Sequence, residues 1–276
     1  RDRVYEAEEV YSQALNHFPE SLDALFKLAS IHEQQGSVEN MNEVSQRILE
    51  IDPDNYQATF LLARGYERKE QYDRALTHYK NAHKMNPQDV NILYSLGNLY
   101  FTQNKLKEAE KHFIKCLKIQ FDHAPSHQKM GEIKHSLNEF KDAISYFIRA
   151  SEKNSENGEI FYMLGESYSE LGQLEKAKEN FYEALDLNPS HMKTNQSLGK
   201  LFIKEQNYVR ACDYLKNASK LSPDDTELHI TLGNCYNELD RLNDAIDHYN
   251  KALTQQPKNP SIYVALGLTH KKEGNL

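Results

Sequence analysis

Apolar and small residues recur along this chain at the spacing of a helix face, and the arrangement returns every 34 residues. In residues 90–123, the positions spaced i, i+3, i+4 and i+7 on a first helix are Leu93, Leu96, Gly97 and Tyr100. The same spacing on a second helix is carried by Leu106, Ala109, Phe113 and Cys116. Such spacing is typical of amphipathic helices. The pattern therefore predicts a pair of helices in each 34-residue stretch.

Several series of equivalent positions share this period. The prolines that follow the second helices are Pro19, Pro53, Pro87, Pro189, Pro223 and Pro257. Small residues within the first helices are Ala29, Ala63, Gly97, Gly131, Gly165, Gly199, Gly233 and Gly267. Between the two helices of a unit lie residues that tolerate the left-handed conformation of a helix end, such as Asn104 and Gly172. A glycine within a helix costs about 1 kcal/mol relative to alanine. Its recurrence predicts close packing against the aromatic residues of the second helices.

These residues closely resemble the tetratricopeptide repeat family. The matching motif is Leu-Gly-x-x-Tyr in the first helix, Ala-x-x-x-Phe/Tyr-x-x-Ala in the second, and then proline. The resemblance implies an all-α fold, a right-handed α-solenoid (superhelix) of antiparallel helix pairs. Residues 1–276 are expected to form a single array. Its complete repeats are predicted at 22–55, 56–89, 90–123, 124–157, 158–191, 192–225 and 226–259.

The two ends of the sequence fall inside a unit. Residues 1–21 resemble the second helix of a preceding repeat, and residues 260–276 the first helix of a following one. We therefore expect the sequence to be a piece of a longer protein. One internal unit, 124–157, departs from the motif at His127 and Lys134, and Phe121 replaces the proline that should precede it. This departure indicates sequence drift, a hinge or change of superhelical path near residues 121–135 and 151–158, or a contact with a partner.

Charge and composition narrow the classes of partner. The net charge of −8 lacks the basic footprint of a nucleic-acid binder. No apolar run approaches the ~18 residues of a membrane span, so no direct membrane insertion is expected. The cysteines Cys116, Cys212 and Cys235 are few and widely spaced, which favours a reducing, intracellular and cytoplasmic setting.

Catalytic and metal-binding motifs are not recognisable. His32-Glu33 begins like a zinc motif, but Gly36 stands where the second histidine belongs. His112 and His248 occupy equivalent repeat positions, which favours a structural role. Glu159, Glu166 and Glu170 share one helix face and could bind a cation, although a solvated face is the favoured interpretation. We predict no enzyme, no cofactor and no metal site.

In the resembled family the first helices line a concave groove, and this implies a set of partner-binding residues. They are Phe26, Phe60, Arg64, Tyr94, Asn98, Phe101, Tyr162, Lys193, Lys200, Lys204 and Asn234. The aromatic residues suit peptide anchors, or else they belong mainly to the core. The asparagines could bind a peptide backbone, or be ordinary surface residues. The lysines are expected to pair with the glutamates of the preceding unit; alternatively they bind an acidic ligand.

The sequence therefore predicts a protein-interaction scaffold that binds a peptide or helical segment of a partner protein and belongs to a larger assembly. No fifth position of a repeat is lysine, so the carboxylate clamp of the family's chaperone-binding members is absent. One alternative is the substrate-recruiting arm of a larger enzyme such as a glycosyltransferase. Another is an architectural rod in a multiprotein assembly.

Overall fold

The computed structural model describes residues 2–274, with side chains from residue 4 onward. All regular secondary structure in this range is helical. The helices are α1 (Asp2–His17), α2 (Leu22–Gln35), α3 (Val38–Ile51), α4 (Tyr56–Arg68), α5 (Tyr72–Met85), α6 (Val90–Thr102), α7 (Leu106–Ile119), α8 (Ala124–Ser136), α9 (Phe140–Lys153), α10 (Gly158–Glu170), α11 (Leu174–Leu187), α12 (Met192–Lys204), α13 (Tyr208–Leu221), α14 (Thr226–Glu238), α15 (Leu242–Gln255) and α16 (Pro260–Glu273). Among these helices none is both long and apolar enough to cross a membrane.

Side-chain caps and left-handed residues set the bounds of the first helix of each pair. At its start, a side-chain oxygen accepts a backbone N–H in most repeats, as at Asp89, Asn55 and Asp225, whereas the ring nitrogen of His191 accepts it before α12. After its end comes a residue with positive φ, as predicted for Gly36, Asn104 and Gly172. The same conformation is imposed on the residues Glu70, Asn138, Gln206 and Asp240. The turn geometry is therefore retained at Glu70 and Gln206, whose side chains do not favour positive φ.

Neighbouring helices pack as the glycine pattern predicts. Contacts join α2 with α3, α4 with α5, α6 with α7, α10 with α11, α12 with α13, and α14 with α15. A Cβ atom placed on Gly97 would lie 2.7 Å from the Phe113 ring, and one on Gly233 would lie 2.5 Å from the Tyr249 ring. The glycines are required because the aromatic ring of the second helix occupies that space.

Two compact units divide the chain, residues 1–130 and 131–276. In the first unit the core is built from buried residues such as Leu25, Ile48 and Tyr79. In the second it is built from residues such as Phe147 and Phe202. The division falls within α8, in the repeat that departs from the sequence motif. The single array and the hinge both stay predictions.

A side chain near the start of the first helix holds the preceding turn in four repeats. The Nε2 atom of His127 lies 2.8 Å from the carbonyl oxygen of Phe121. The equivalent contacts to the carbonyl six residues earlier are made by Asn195 at 3.4 Å, His229 at 2.8 Å and Tyr263 at 3.0 Å. His127 is therefore a repeated tether rather than an isolated departure from the apolar pattern.

His112 and His248 have the structural role that their equivalent positions predict. Each ring stacks on a tyrosine of the first helix, Tyr100 at 5.5 Å and Tyr236 at 5.4 Å between centroids. Burial is the main reason that the pKa of each imidazole is lowered to about 4. Both rings are consequently neutral packing elements at neutral pH.

Candidate partner-binding surfaces

Six of the predicted site residues lie on the first helices of residues 1–130, and we call them the N-terminal surface. They are Phe26 on α2, Phe60 and Arg64 on α4, and Tyr94, Asn98 and Phe101 on α6. All six side chains are half-buried. Each therefore covers part of the core and still presents part of its area to solvent.

The aromatic residues of this surface rest on the rings of the second helices. The centroid of Phe60 lies 5.6 Å from that of Tyr79, and Tyr94 lies 5.8 Å from Phe113, with the rings tilted in both pairs. Tyr94 also meets the His123 ring edge-on at 5.4 Å. Contacts of this kind fix the orientation of a ring, so little rotamer freedom remains to be lost on binding.

The cations of this surface are already engaged. The Nη1 atom of Arg64 lies 2.7 Å from Glu33 Oε1, which links α4 to α2. Its guanidinium group also lies 5.9 Å from the centroid of Phe60. Beside the surface, the Nζ atom of Lys129 on α8 lies 4.9 Å from the centroid of Phe101. The N-terminal surface is thus aromatic with internally balanced charges.

Asn98 and Asn234 occupy the same position of two repeats but have different surroundings. The Tyr249 hydroxyl donates a hydrogen bond to Asn234 Oδ1 at 2.7 Å. The residue equivalent to Tyr249 is Phe113, which has no hydroxyl. Within residues 2–274 the carboxamide of Asn98 forms no hydrogen bond. It therefore keeps its donor and acceptor for another molecule.

In residues 131–276, the predicted site residues are Tyr162 on α10, Lys193, Lys200 and Lys204 on α12, and Asn234 on α14. The three lysines are exposed. Within the described chain none of them forms an ion pair with Glu159, Glu166 or Glu170, so the predicted pairing is wrong.

Other polar groups contact these glutamates in place of the lysines. Glu159 Oε2 lies 3.1 Å from His191 Nε2, and Glu166 accepts a 2.7 Å hydrogen bond from the Ser197 hydroxyl. The Nζ atom of Lys193 instead lies 6.0 Å from the centroid of Tyr162. Burial, followed by the two glutamates, raises the pKa of Tyr162. This surface is a polar network around one tyrosine.

The sequence did not predict that tyrosines of the second helices hold polar side chains of the first helices in place at these surfaces. Tyr79 donates its hydroxyl to Glu67, and this hydroxyl also interacts with Ser95 on the next first helix. Tyr249 does the same between Asn234 and Thr269. The available signal was a tyrosine at a position that other repeats fill with phenylalanine. Among the described residues, no cluster of three or more His, Cys, Asp or Glu could hold a metal ion.

Family models match four stretches of the sequence. Models described as tetratricopeptide repeats match residues 3–56, 158–191 and 233–274. A model described as anaphase-promoting complex, cyclosome, subunit 3 matches residues 34–116. No curated protein matches the sequence significantly.

Solved structures of other proteins share the fold. A chain of the APC/C hetero-tetramer Cut9–Hcn1 is similar with a TM-score of 0.66 and 16% identity, covering 96% of this chain and 52% of that one. This chain therefore spans about half the length of that relative. YrrB, described as a TPR protein with an unusual peptide-binding site, is similar with a TM-score of 0.59 and 22% identity, over 68% of this chain and 96% of YrrB. PilF of Pseudomonas aeruginosa has a TM-score of 0.66 and 17% identity, over 79% of this chain and 97% of PilF.

The helix pairs, the glycine-to-aromatic packing and the matched models agree over both compact units. The fold is an all-α solenoid, and the chain is a tetratricopeptide repeat protein.

Proposed function

We propose that this chain is a protein-interaction scaffold that binds a peptide or helical segment of a partner on its N-terminal surface. The observation that carries the proposal is Asn98, whose carboxamide forms no hydrogen bond within residues 2–274 and lies on the same helix as Tyr94 and Phe101. A carboxamide can donate to and accept from one peptide group, while the rings bury an apolar side chain of the partner.

The charges of the surface indicate which partner it suits. Arg64 is neutralised by Glu33, and Lys129 lies over the Phe101 ring. An acidic segment would have to disrupt these contacts before it gained any of its own. The N-terminal surface therefore favours a segment with an apolar or aromatic side chain and accessible backbone groups. YrrB, a protein of similar fold that is described as having a peptide-binding site, gives a precedent for peptide binding within this architecture.

The test uses linear peptides selected from a random displayed library against the unaltered protein. Phe60→Ala and Tyr94→Ala should weaken binding of the selected peptides by about tenfold or more, as expected for anchor residues. Asn98→Ala should weaken it as well, whereas Asn234→Ala serves as the matched control at the equivalent position. Helicity from circular dichroism should be retained in all four variants.

Unchanged affinity in Phe60→Ala, Tyr94→Ala and Asn98→Ala would refute the proposal that the N-terminal surface binds the peptide. An architectural role would gain support if these variants left binding of a partner unchanged while variants on the opposite faces of the helices weakened it. A role as the recruiting arm of an enzyme would use the same surface, and the selected peptide would then be part of a substrate.

A further inference from the structure

A group of lysines lies on the exposed side of two neighbouring second helices, and we call it the basic surface. Its members are Lys80 and Lys84 on α5, and Lys111, Lys115 and Lys118 on α7. All five side chains are exposed. Within residues 2–274 none of them forms an ion pair with a carboxylate. The whole chain has a net charge of −8, so this surface is a local exception to its acidic character.

Two histidine rings join α5 and α7 beneath these lysines. The ring centroids of His83 and His112 lie 6.2 Å apart, edge to face. Burial is the main reason that the pKa of His112 is lowered to about 4, and the charges of Lys115, Lys80 and Lys111 add to the effect. Lysines from both helices therefore act on the same imidazole, and they form one continuous patch of positive charge.

The arrangement of the lysines is unfavourable for the isolated chain. Lys80 and Lys84 are four residues apart on α5, as are Lys111 and Lys115 on α7, and like charges at this spacing destabilise a helix. Lys84 and Lys118 lie in the last turns, where the helix dipole favours a cation. The other three lysines have no such compensation. Carboxylates of another molecule would relieve this repulsion.

An apolar side chain and the charge of the rest of the chain indicate which anion suits the basic surface. Ile114 lies between Lys111 and Lys115 in the sequence, and it is 37% exposed. It offers an apolar contact among the cations, which a peptide side chain can use. A nucleic acid carries phosphates along its whole length, and beyond these lysines it meets a chain of net negative charge. A short acidic peptide segment fits the surface better.

We propose that the basic surface binds an acidic segment of a partner protein. Carboxylates of the segment lie against Lys80, Lys111 and Lys115, and one of its apolar side chains packs on Ile114. The opposite charges also speed the encounter between the two proteins. This inference uses no residue of the N-terminal surface, so it can fail while peptide binding there holds, and the reverse is also true.

The probe is a labelled synthetic peptide of glutamates around one central leucine, and the same peptide with glutamine in place of glutamate is its control. Lys111→Glu and Lys115→Glu should each weaken binding of the acidic peptide by about fivefold or more, because a repulsive charge replaces an attractive one. Lys141→Glu makes the same charge change at an exposed lysine of α9, and it should leave the affinity nearly unchanged. Circular dichroism should show native helicity in all three variants.

The titration of His112, followed by NMR, locates the peptide without any substitution. Carboxylates beside Lys111 and Lys115 offset the charges that lower the pKa of His112, so this pKa should rise when the acidic peptide is bound and not when the glutamine peptide is added. Binding should also weaken as sodium chloride is raised from about 0.05 M to about 0.5 M, since salt screens exposed charges.

Three results would overturn the proposal. The first is an acidic peptide that does not bind. The second is a loss of affinity in Lys141→Glu as large as that in Lys115→Glu, which would reflect the overall charge alone. The third is tighter binding of a single-stranded oligonucleotide of equal charge, which would make the basic surface a site for nucleic acid.

Discussion

Repeats 90–123 and 226–259 share the sequence Leu-Gly-Asn in their first helices, yet one hydroxyl group gives the shared asparagine two different roles. Tyr249 donates to Asn234 and thereby makes it part of the scaffold. Phe113 cannot donate, so the equivalent Asn98 keeps its hydrogen-bonding capacity. The comparison shows that a residue on the second helix decides whether a residue on the first helix is structural or available to a partner.

The two repeats also differ in the contacts of their half-buried histidines, His112 and His248. His248 stacks on Tyr236, and its Nδ1 atom lies 3.0 Å from Nδ1 of His229. His112 stacks on Tyr100, and its buried Nδ1 atom has no hydrogen-bond partner among the described residues. One of the two facing nitrogens in the His229 and His248 pair must donate and the other accept, which requires that at least one ring is neutral.

Acidification should produce the largest effect, and it should act on both repeats. Burial lowers the pKa of His112 and His248 from 6.5 to about 4, with Lys115 and Lys251 as the next causes. The unfolded chain therefore binds more protons between pH 6.5 and 4, so stability is complete above this window and is lost as pH falls through it. Each histidine should contribute about 1–2 kcal/mol after allowance for solvent screening.

The measurement is the urea midpoint as a function of pH, followed in single variants. His112→Tyr copies the stacked pair of Phe202 and Tyr214 and should flatten the profile between pH 6.5 and 4. Substitution of the exposed His17 by asparagine serves as the control. A profile that is equally steep in His112→Tyr and in the native protein would contradict a contribution from the half-buried imidazole of His112.

Replacing Gly97 or Gly233 with alanine should destabilise the two repeats unequally. The difference should be smaller than the effect of acidification. The new Cβ atom meets a ring at 2.7 Å in Gly97→Ala and at 2.5 Å in Gly233→Ala. The Phe113 ring is held by packing alone, whereas the ring of Tyr249 is also held by the hydrogen bond from its hydroxyl to Asn234. After the gain in helix propensity, we expect Gly233→Ala to lose about 1–2 kcal/mol and Gly97→Ala to lose less. Chemical denaturation of both variants gives the comparison, and equal losses would show that the hydroxyl does not restrain the ring.

The helix pairs could be predicted from the sequence because the residues that determine each helix lie close together in the chain. The spacing of Leu96, Gly97 and Tyr100 defines a helix face, and Asn104 marks its end with φ of 58°. The recurrence of glycine opposite an aromatic residue also predicted the contact of Gly97 with Phe113. Repetition every 34 residues made each of these local signals visible several times.

The contacts of the candidate surfaces could be predicted only in part, because they join residues of different repeats. Charge alone predicted that the lysines of α12 pair with the glutamates of α10, but His191 contacts Glu159 and Ser197 contacts Glu166. Neither partner stands out in the sequence, since a histidine and a serine carry no obvious complementary charge. Likewise, the half-buried state of Phe60 and Tyr94 depends on the tilt of their rings against Tyr79 and Phe113.

An exchange of the two aromatic residues tests the comparison directly. Tyr249→Phe should lose about 1 kcal/mol of stability, since it removes a hydrogen bond of 2.7 Å and leaves Asn234 exposed to solvent. In return, it gives Asn234 the free carboxamide that Asn98 has in the native protein. Thermal or urea unfolding measures the first effect.

Phe113→Tyr is the reciprocal change and should have the smallest effect on stability, a gain of about 0.5–1 kcal/mol if the new hydroxyl reaches Asn98. Its effect on binding is more informative. Because the hydroxyl engages the carboxamide from inside the protein, a peptide selected on the native chain should bind more weakly although no residue of the N-terminal surface has changed. Undiminished affinity in Phe113→Tyr, together with a measured gain in stability, would show that Asn98 does not bind the partner. The binding surface would then rest on the aromatic residues alone.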